Sequence, residues 1–170
     1  MQSHIASYKQ QGYQPISTNN SCIGAEVLFH SELNKVVKFG QDCAYDVFVK
    51  HAMAFPSPAF PRFFHHDTPA GPFATNSNKP YTVTEMEHLS ELTVEEGTAL
   101  LNWFGEMISA FKNGSDPNAI ADPFQLTPTL LELKKVAVGA SVGLDMQKTT
   151  NYMARNLNGR REIVITDPFN

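Results

Sequence analysis

Two cysteines, Cys22 and Cys43, are too few in 170 residues for a disulfide framework. They read as reduced thiols that fill the core of a cytosolic protein. No run of apolar residues is long enough to span a bilayer, so no membrane partner is expected. The opening stretch MQSHIASYKQQGYQP lacks the apolar segment of a secretory leader. A basic stripe is missing as well: 13 Lys and Arg face 17 Asp and Glu, and they are scattered apart from short pairs such as Lys134-Lys135 and Arg160-Arg161. A nucleic-acid surface needs clustered cations, so nucleic acid is not an expected partner of this chain of net charge -4. There is no internal repeat and no low-complexity tract.

What is present is an ordinary globular composition, 42% hydrophobic, in a length that suits one domain or two small lobes sharing a cleft. The segment YQPISTNNSCIGAEVLFH holds a strand-like start, a polar cluster from Ser17 to Ser21 and an apolar run from Ala25 to Phe29. This predicts a β-hairpin with a long polar loop. NKVVKFG predicts a third strand, opened by Asn34 and closed by Gly40. In DCAYDVFVKHAMAF the inward positions Ala44, Val47, Phe48, His51 and Ala52 follow a helical period, with Asp42 as N-cap. Prolines crowd FPSPAFPRFFHHDTPAGPF, which reads as a linker or loop. PYTVTEMEHL alternates and is β-branched, the pattern of another strand.

The second half changes character. TVEEGTALLNWFGEMISAFKNG predicts a helix with Thr93 as cap, Glu96 completing a capping box and Gly114 as the stop. TPTLLELKKVAVGASVG predicts another, with Thr127 as cap and Pro128 in the first helical position. NYMAR and EIVIT then read as two short strands around a turn from Asn156 to Gly159. The fold class is therefore α+β, a small N-terminal antiparallel sheet lobe with one helix followed by a helical lobe.

Phosphoryl transfer asks little covalent chemistry of a protein. It needs a cation on the phosphates, carboxylate and amide oxygens for Mg²⁺, and a carboxylate near the attacking hydroxyl. Lys38 in VVKF, Asp145, Asn151 and Asp167 are polar residues on separate elements that meet this description. Their order resembles that of the protein kinases. The joint pattern LDM…NYM…VITDP is most similar to compact, C-terminally short kinases such as the T7-like phage protein kinase, whose Asn-x-Met strand and Ile-Thr-Asp-Pro ending it matches.

The resemblance implies one kinase-like domain over 1–170, with a sheet lobe at 1–89, a hinge at 85–89 and a reduced helical lobe at 90–170. ATP and Mg²⁺ would be the cofactors, and the partner a protein substrate or, for a phage-encoded chain, a host protein. Asp145 would be the catalytic base. Lys38 would hold the α- and β-phosphates, and Asn151 and Asp167 the metal. Gly24, Val27 and Val36 would cover the nucleotide, with Val36 roofing the adenine because it shares a strand face with Lys38. Asp46, with Asp42 as fallback, would orient Lys38. Thr84 takes the gatekeeper position, and the backbone of Glu85, Met86 and Glu87 would bind adenine. Several positions depart from the family: Gly24 is the one glycine of its loop, Leu144 replaces a His, and Asp145 and Asn151 stand one residue further apart. Those departures keep a second expectation open, a pseudokinase-type module that binds and inhibits a partner.

Plainer roles stand beside these. Lys38 alone reads as an edge-strand lysine that blunts aggregation, Asp145 as a polar helix end, and Asp167 as a turn residue before Pro168. His65 and His66 read as a solvated loop, and His51 and His88 as satisfied polar groups. Leu100, Leu101, Phe104, Met107, Ile108 and Phe111 form a packing stripe. Trp103 lies off that stripe and is expected to be exposed, a candidate interface residue.

Overall fold

The computed structural model describes residues 1–16, 25–69 and 81–170. They form two compact units, Met1–Pro56 with Pro61–His88, and Ser57–Phe60 with Leu89–Asn170. Gly24, Cys22 and the polar loop of the first hairpin lie outside the described residues. Among the described residues no helix is long and apolar enough to cross a membrane.

In the first unit, β1 (Gln14–Pro15), β2 (Glu26–His30), β3 (Lys35–Gly40), β4 (Phe63–Asp67) and β5 (Thr82–Glu87) form one antiparallel sheet in the order β1-β2-β3-β5-β4. Side chains alternate along each strand, so Leu28, Val37, Phe39 and Val83 project from one face. They cluster with Ile5, Tyr13 and Tyr81 beneath α1 (Gln2–Gln10), which adds the ring of Tyr8 against Phe39 at 5.7 Å. The opposite face carries Val27, Val36, Lys38, Thr84 and Met86 and receives α2 (Cys43–Ala54). Phe48 meets Phe63 edge-on at 6.0 Å, and the Tyr45 hydroxyl donates to Met86 Sδ at 3.8 Å. Asp42 caps α2 as expected, accepting from the N–H groups of Ala44 and Tyr45 at 2.8 and 3.2 Å, a contribution of about 1 kcal/mol.

Three features depart from the sequence reading. α1 has a signal, Met1, Ile5 and Tyr8 at helical spacing, but polar residues outnumber it. β4 arises inside the proline-rich segment, from the proline-free FFHHD, and carries His65 and His66 on a strand rather than a solvated loop. β3 lies between β2 and β5, so Lys38 is an interior-strand residue and not an edge lysine.

The second unit contains α3 (Val94–Asn113), α4 (Thr127–Ala140) and the hairpin of β6 (Tyr152–Leu157) and β7 (Arg160–Ile165). The α3 capping box forms, with Glu96 N–H to Thr93 Oγ1 at 3.2 Å and Thr93 N–H to Glu96 Oε2 at 2.8 Å, and Gly114 ends the helix in a left-handed conformation. Trp103 corrects the expectation of exposure: it is 4% exposed and packs against Phe124. It sits three residues beyond Leu100 and four before Met107, so it belongs to the buried stripe. The α4 cap is also corrected. Leu126 is the N-cap, Thr127 is the first helical residue, and its buried hydroxyl has no hydrogen-bond partner among the described residues. Asp122 supplies the capping carboxylate from the preceding loop, accepting from the N–H groups of Leu126 and Thr127 at 3.1 and 2.7 Å.

Arg161 ties the hairpin to α3. Its Nε and Nη2 donate to the two oxygens of Glu96 at 2.7 and 2.8 Å. Hydrogen bonds from Arg161, and then from Thr93 N–H, outweigh burial and hold the Glu96 carboxyl below its ordinary 4.5. A lowered folded value means the stabilisation is complete above that pH and is lost as pH falls through the folded value. Glu96→Gln is therefore expected to lower stability by about 1 kcal/mol at pH 7, allowing for its partial exposure. The difference between the two proteins should narrow as pH is lowered below 4.5, as thermal melts at pH 7 and across the acid range would show.

Candidate functional site

The expected site residues fall into two groups, one in each unit. In the sheet unit, the register sets a row across one face: Val27 opposite Lys38, Lys38 opposite Thr84, and Thr84 opposite His66. The Lys38 ammonium stands 3.5 Å from the centroid of the Tyr45 ring, a cation–π contact on the face covered by α2. Thr84 is fully buried, and its Oγ1 meets His66 Nδ1 at 2.9 Å. His66 Nε2 meets Asp46 Oδ1 at 2.8 Å, and Asp46 Oδ2 accepts from Lys50 at 2.7 Å. Burial raises the Asp46 carboxyl, but hydrogen bonds from Lys50 and His66 outweigh it, and the net shift is downward. Both oxygens of the acid that the resemblance assigns to Lys38 are thus held by Lys50 and His66.

The Glu85–Glu87 segment lies inside β5, paired to β3 on one side and β4 on the other. Glu85 projects to the α1 face, where it accepts from Tyr13 and Lys35 at 3.1 Å each. Burial first, and then the charge of Glu85, push the Tyr13 phenol up to about 12. The Glu87 N–H donates to Arg62 O and the His88 N–H to Asn34 O, both at 3.0 Å. Val36 pairs with Met86 on the face shared with Lys38.

In the second unit, the closing stretch folds back on itself. Gly143 and Asn170 exchange backbone bonds at 2.8 and 3.0 Å, and Asp145 N–H donates to Pro168 O at 2.7 Å. A Cβ at Gly143 would overlap the Asn170 side-chain amide, which would have to shift. Thr149–Asn151 forms one 3-10 turn, and Asn151 Nδ2 donates to Asp145 O at 3.0 Å, which closes the stretch between them. The Asn151 carbonyl then accepts from Thr166 and Asp167 N–H at 2.8 and 3.4 Å. Asp145, Asn151 and Asp167, far apart in sequence, are thereby fixed in one knot of backbone.

The donor set of this knot is two carboxylates and one amide. Among the described residues no group of three or more His, Cys, Asp or Glu is placed to hold a metal. Oxygen donors of this kind suit Mg²⁺, which binds through one or two carboxylates and completes its shell with water and phosphate oxygens. Lys148, which the sequence reading passed over, forms an ion pair with Asp145 and brings a cation beside it. Burial first and the charge of Asp145 second raise the phenol of Tyr152, whose hydroxyl donates to Met146 O at 3.3 Å. His66, read from the sequence as part of a solvated loop, faces inward because one of two adjacent histidines on a strand must, and the register shift between Phe63 and His65 turns it to the face of Thr84. Neither a protein-family model nor a curated protein sequence matches the chain.

Proposed function

We propose that the chain is a compact, Mg²⁺-ATP-dependent, protein-kinase-like phosphotransferase acting on serine or threonine hydroxyls. The observation that carries this reading is the knot in which the Asn151 amide and carbonyl tie Asp145 and Asp167 together. In-line phosphoryl transfer is mostly a matter of positioning, and a rigid frame for the base and the metal donors is the part a protein must supply. Asp145 orients the acceptor hydroxyl and takes its proton. The Asn151 amide oxygen and the Asp167 carboxylate would hold Mg²⁺, which supplies charge neutralisation on the transferring phosphoryl group. Lys38, on the third strand, would hold the α- and β-phosphates, with Val27 and Val36 beside it on the same face. Incubation with γ-labelled ATP and a mixed protein substrate tests the reading. Label transfer that depends on Lys38 and Asp167 is expected; absence of transfer, or transfer unchanged in both Lys38→Ala and Asp167→Ala, overturns it.

One set of observations favours a second reading, a catalytically impaired module that binds and inhibits a partner protein. Both oxygens of Asp46 are engaged by His66 and Lys50, and the Glu87 N–H is engaged by Arg62. Kinase catalysis requires the strand lysine to be paired with an acid from the following helix. Mg²⁺-ATP at 100 times its Kd stabilises a protein that binds it by about 2.7 kcal/mol. A thermal shift of that order without label transfer supports a nucleotide-binding but inactive module. No shift, together with no transfer, supports a module that uses neither.

A further inference from the structure

The β6–β7 hairpin turns through Asn158 and Gly159, both at positive φ (51° and 79°), the signature of a two-residue type I′ turn. Leu157 and Arg160, which flank it, are paired, so hydrogen-bonded and outward-facing positions alternate from there along both strands. On β7 the backbone groups of Arg161, Ile163 and Ile165 face away from β6. The same alternation is visible where these edges are used. Ala154 of β6, opposite Ile163, exchanges both of its backbone bonds with Ser90 at 2.9 and 2.8 Å, and Ile165 N–H donates to Ala59 O at 2.8 Å. The outward N–H and C=O groups of Arg161 and Ile163 have no partner among the described residues.

A cavity of about 240 Å³ opens beside this edge, lined by Pro58, Phe124, Gln125, Thr129, Arg160 and Ile163 among others. That is smaller than the roughly 300–1,000 Å³ of small-molecule sites, and it suits side chains rather than a cofactor. Gln125 holds a left-handed conformation at φ 58°, strain of the kind that accumulates at binding sites. Arg160 and Glu162 share one face of β7, line the same cavity and form no ion pair among the described residues. A strand laid alongside repeats its side chains at the same two-residue spacing. Its acidic and basic residues, two positions apart, would meet both charges.

We propose that the outer edge of β7 at Arg161 and Ile163 docks an extended acid-x-base segment of the acceptor protein by strand addition, with an apolar side chain entering the cavity beside Phe124. The identity of the partner as an acceptor rests on the phosphotransferase reading; the docking chemistry does not. Main-chain bonds would supply the affinity, and the cavity and the two charges the selectivity.

The probe is an acetylated, amidated Ser-Asp-Val-Lys-Val-Ser peptide, titrated into the full chain with amide shifts followed by NMR. Binding with shifts centred on Arg161 and Ile163 is expected. Alternate N-methylation of the peptide and the Arg160→Glu variant should each weaken binding about tenfold, the value of one charge-assisted or backbone hydrogen bond. No binding, or equal binding of the N-methylated peptide, overturns the proposal. Label transfer to a protein carrying this segment separates the two readings. In Arg160→Glu the KM for that acceptor should rise with kcat unaltered, and an unchanged KM sinks the docking edge alone. Peptide binding with no transfer in any variant sinks the phosphotransferase reading and leaves the edge standing.

Discussion

Asp145→Asn is expected to lower phosphoryl transfer about 10²- to 10⁴-fold, the usual contribution of a positioned general base. The substitution is nearly isosteric and removes the proton acceptor. It leaves the frame in place, because the bonds to Asn151 and Pro168 come from the Asp145 backbone and not from its carboxylate. The ion pair that is lost involves a Lys148 side chain that is 63% exposed, and pairs of that kind contribute little to stability. Thermal melts of the variant and the parent should therefore coincide while single-turnover label transfer collapses. A drop in transfer accompanied by a large drop in melting temperature would show instead that Asp145 is structural. Transfer at the parent rate would remove it from the mechanism.

Arg155→Met is expected to destabilise the protein by about 2–5 kcal/mol, because two carbonyls would lose a charged donor inside the unit. The guanidinium is buried, and Nη1 and Nη2 donate to Pro58 O and Phe60 O at 2.6 and 2.7 Å. Those carbonyls belong to Ser57–Phe60, which joins this unit by contact although it lies between α2 and β4 in sequence. Ile165 N–H to Ala59 O is the other backbone tie on the same segment. The methionine stem preserves most of the packing, so the loss isolates the hydrogen bonds. A fall in melting temperature of roughly 5–15 °C follows for a chain of this size. Arg155→Lys should recover part of it, since one ammonium can reach one of the two carbonyls. A variant that melts with the parent would place the anchoring of this segment elsewhere.

Much of the fold was legible because its signals are local. Thr93, Glu96 and Gly114 bracket α3 by hydrogen bonds that never leave its ends, and Asp42 does the same for the start of α2. The alternation in KVVKFG put Val36 and Lys38 on one face, and the polar run from Asn156 to Gly159 located the β6–β7 turn, which the structure narrows to Asn158 and Gly159. Failures came where a distant partner decides. Asp122 reaches across four residues to cap α4, so Thr127 looked like the cap. Trp103 has the helical phase of a buried residue, but Phe124, which packs against it, comes from a loop beyond the helix. β4 has little intrinsic pattern and exists because β5 offers it a partner edge.

The candidate site divides in the same way. The residue types and their order, a lysine in an apolar strand and Asp, Asn and Asp in the closing stretch, belong to the sequence alone, because the chemistry of a side chain is set by what it is. Which of them act together was decided by tertiary structure. The 3-10 turn at Thr149–Asn151 places one asparagine so that its side-chain amide holds Asp145 and its backbone carbonyl holds Asp167. Asp46 was handed to His66 and Lys50 because β4, a strand the sequence barely announces, brings an imidazole to its carboxylate. A hydrogen bond costs nothing to write along a sequence, but it forms only between groups that the packing of whole elements has brought within 3 Å or so.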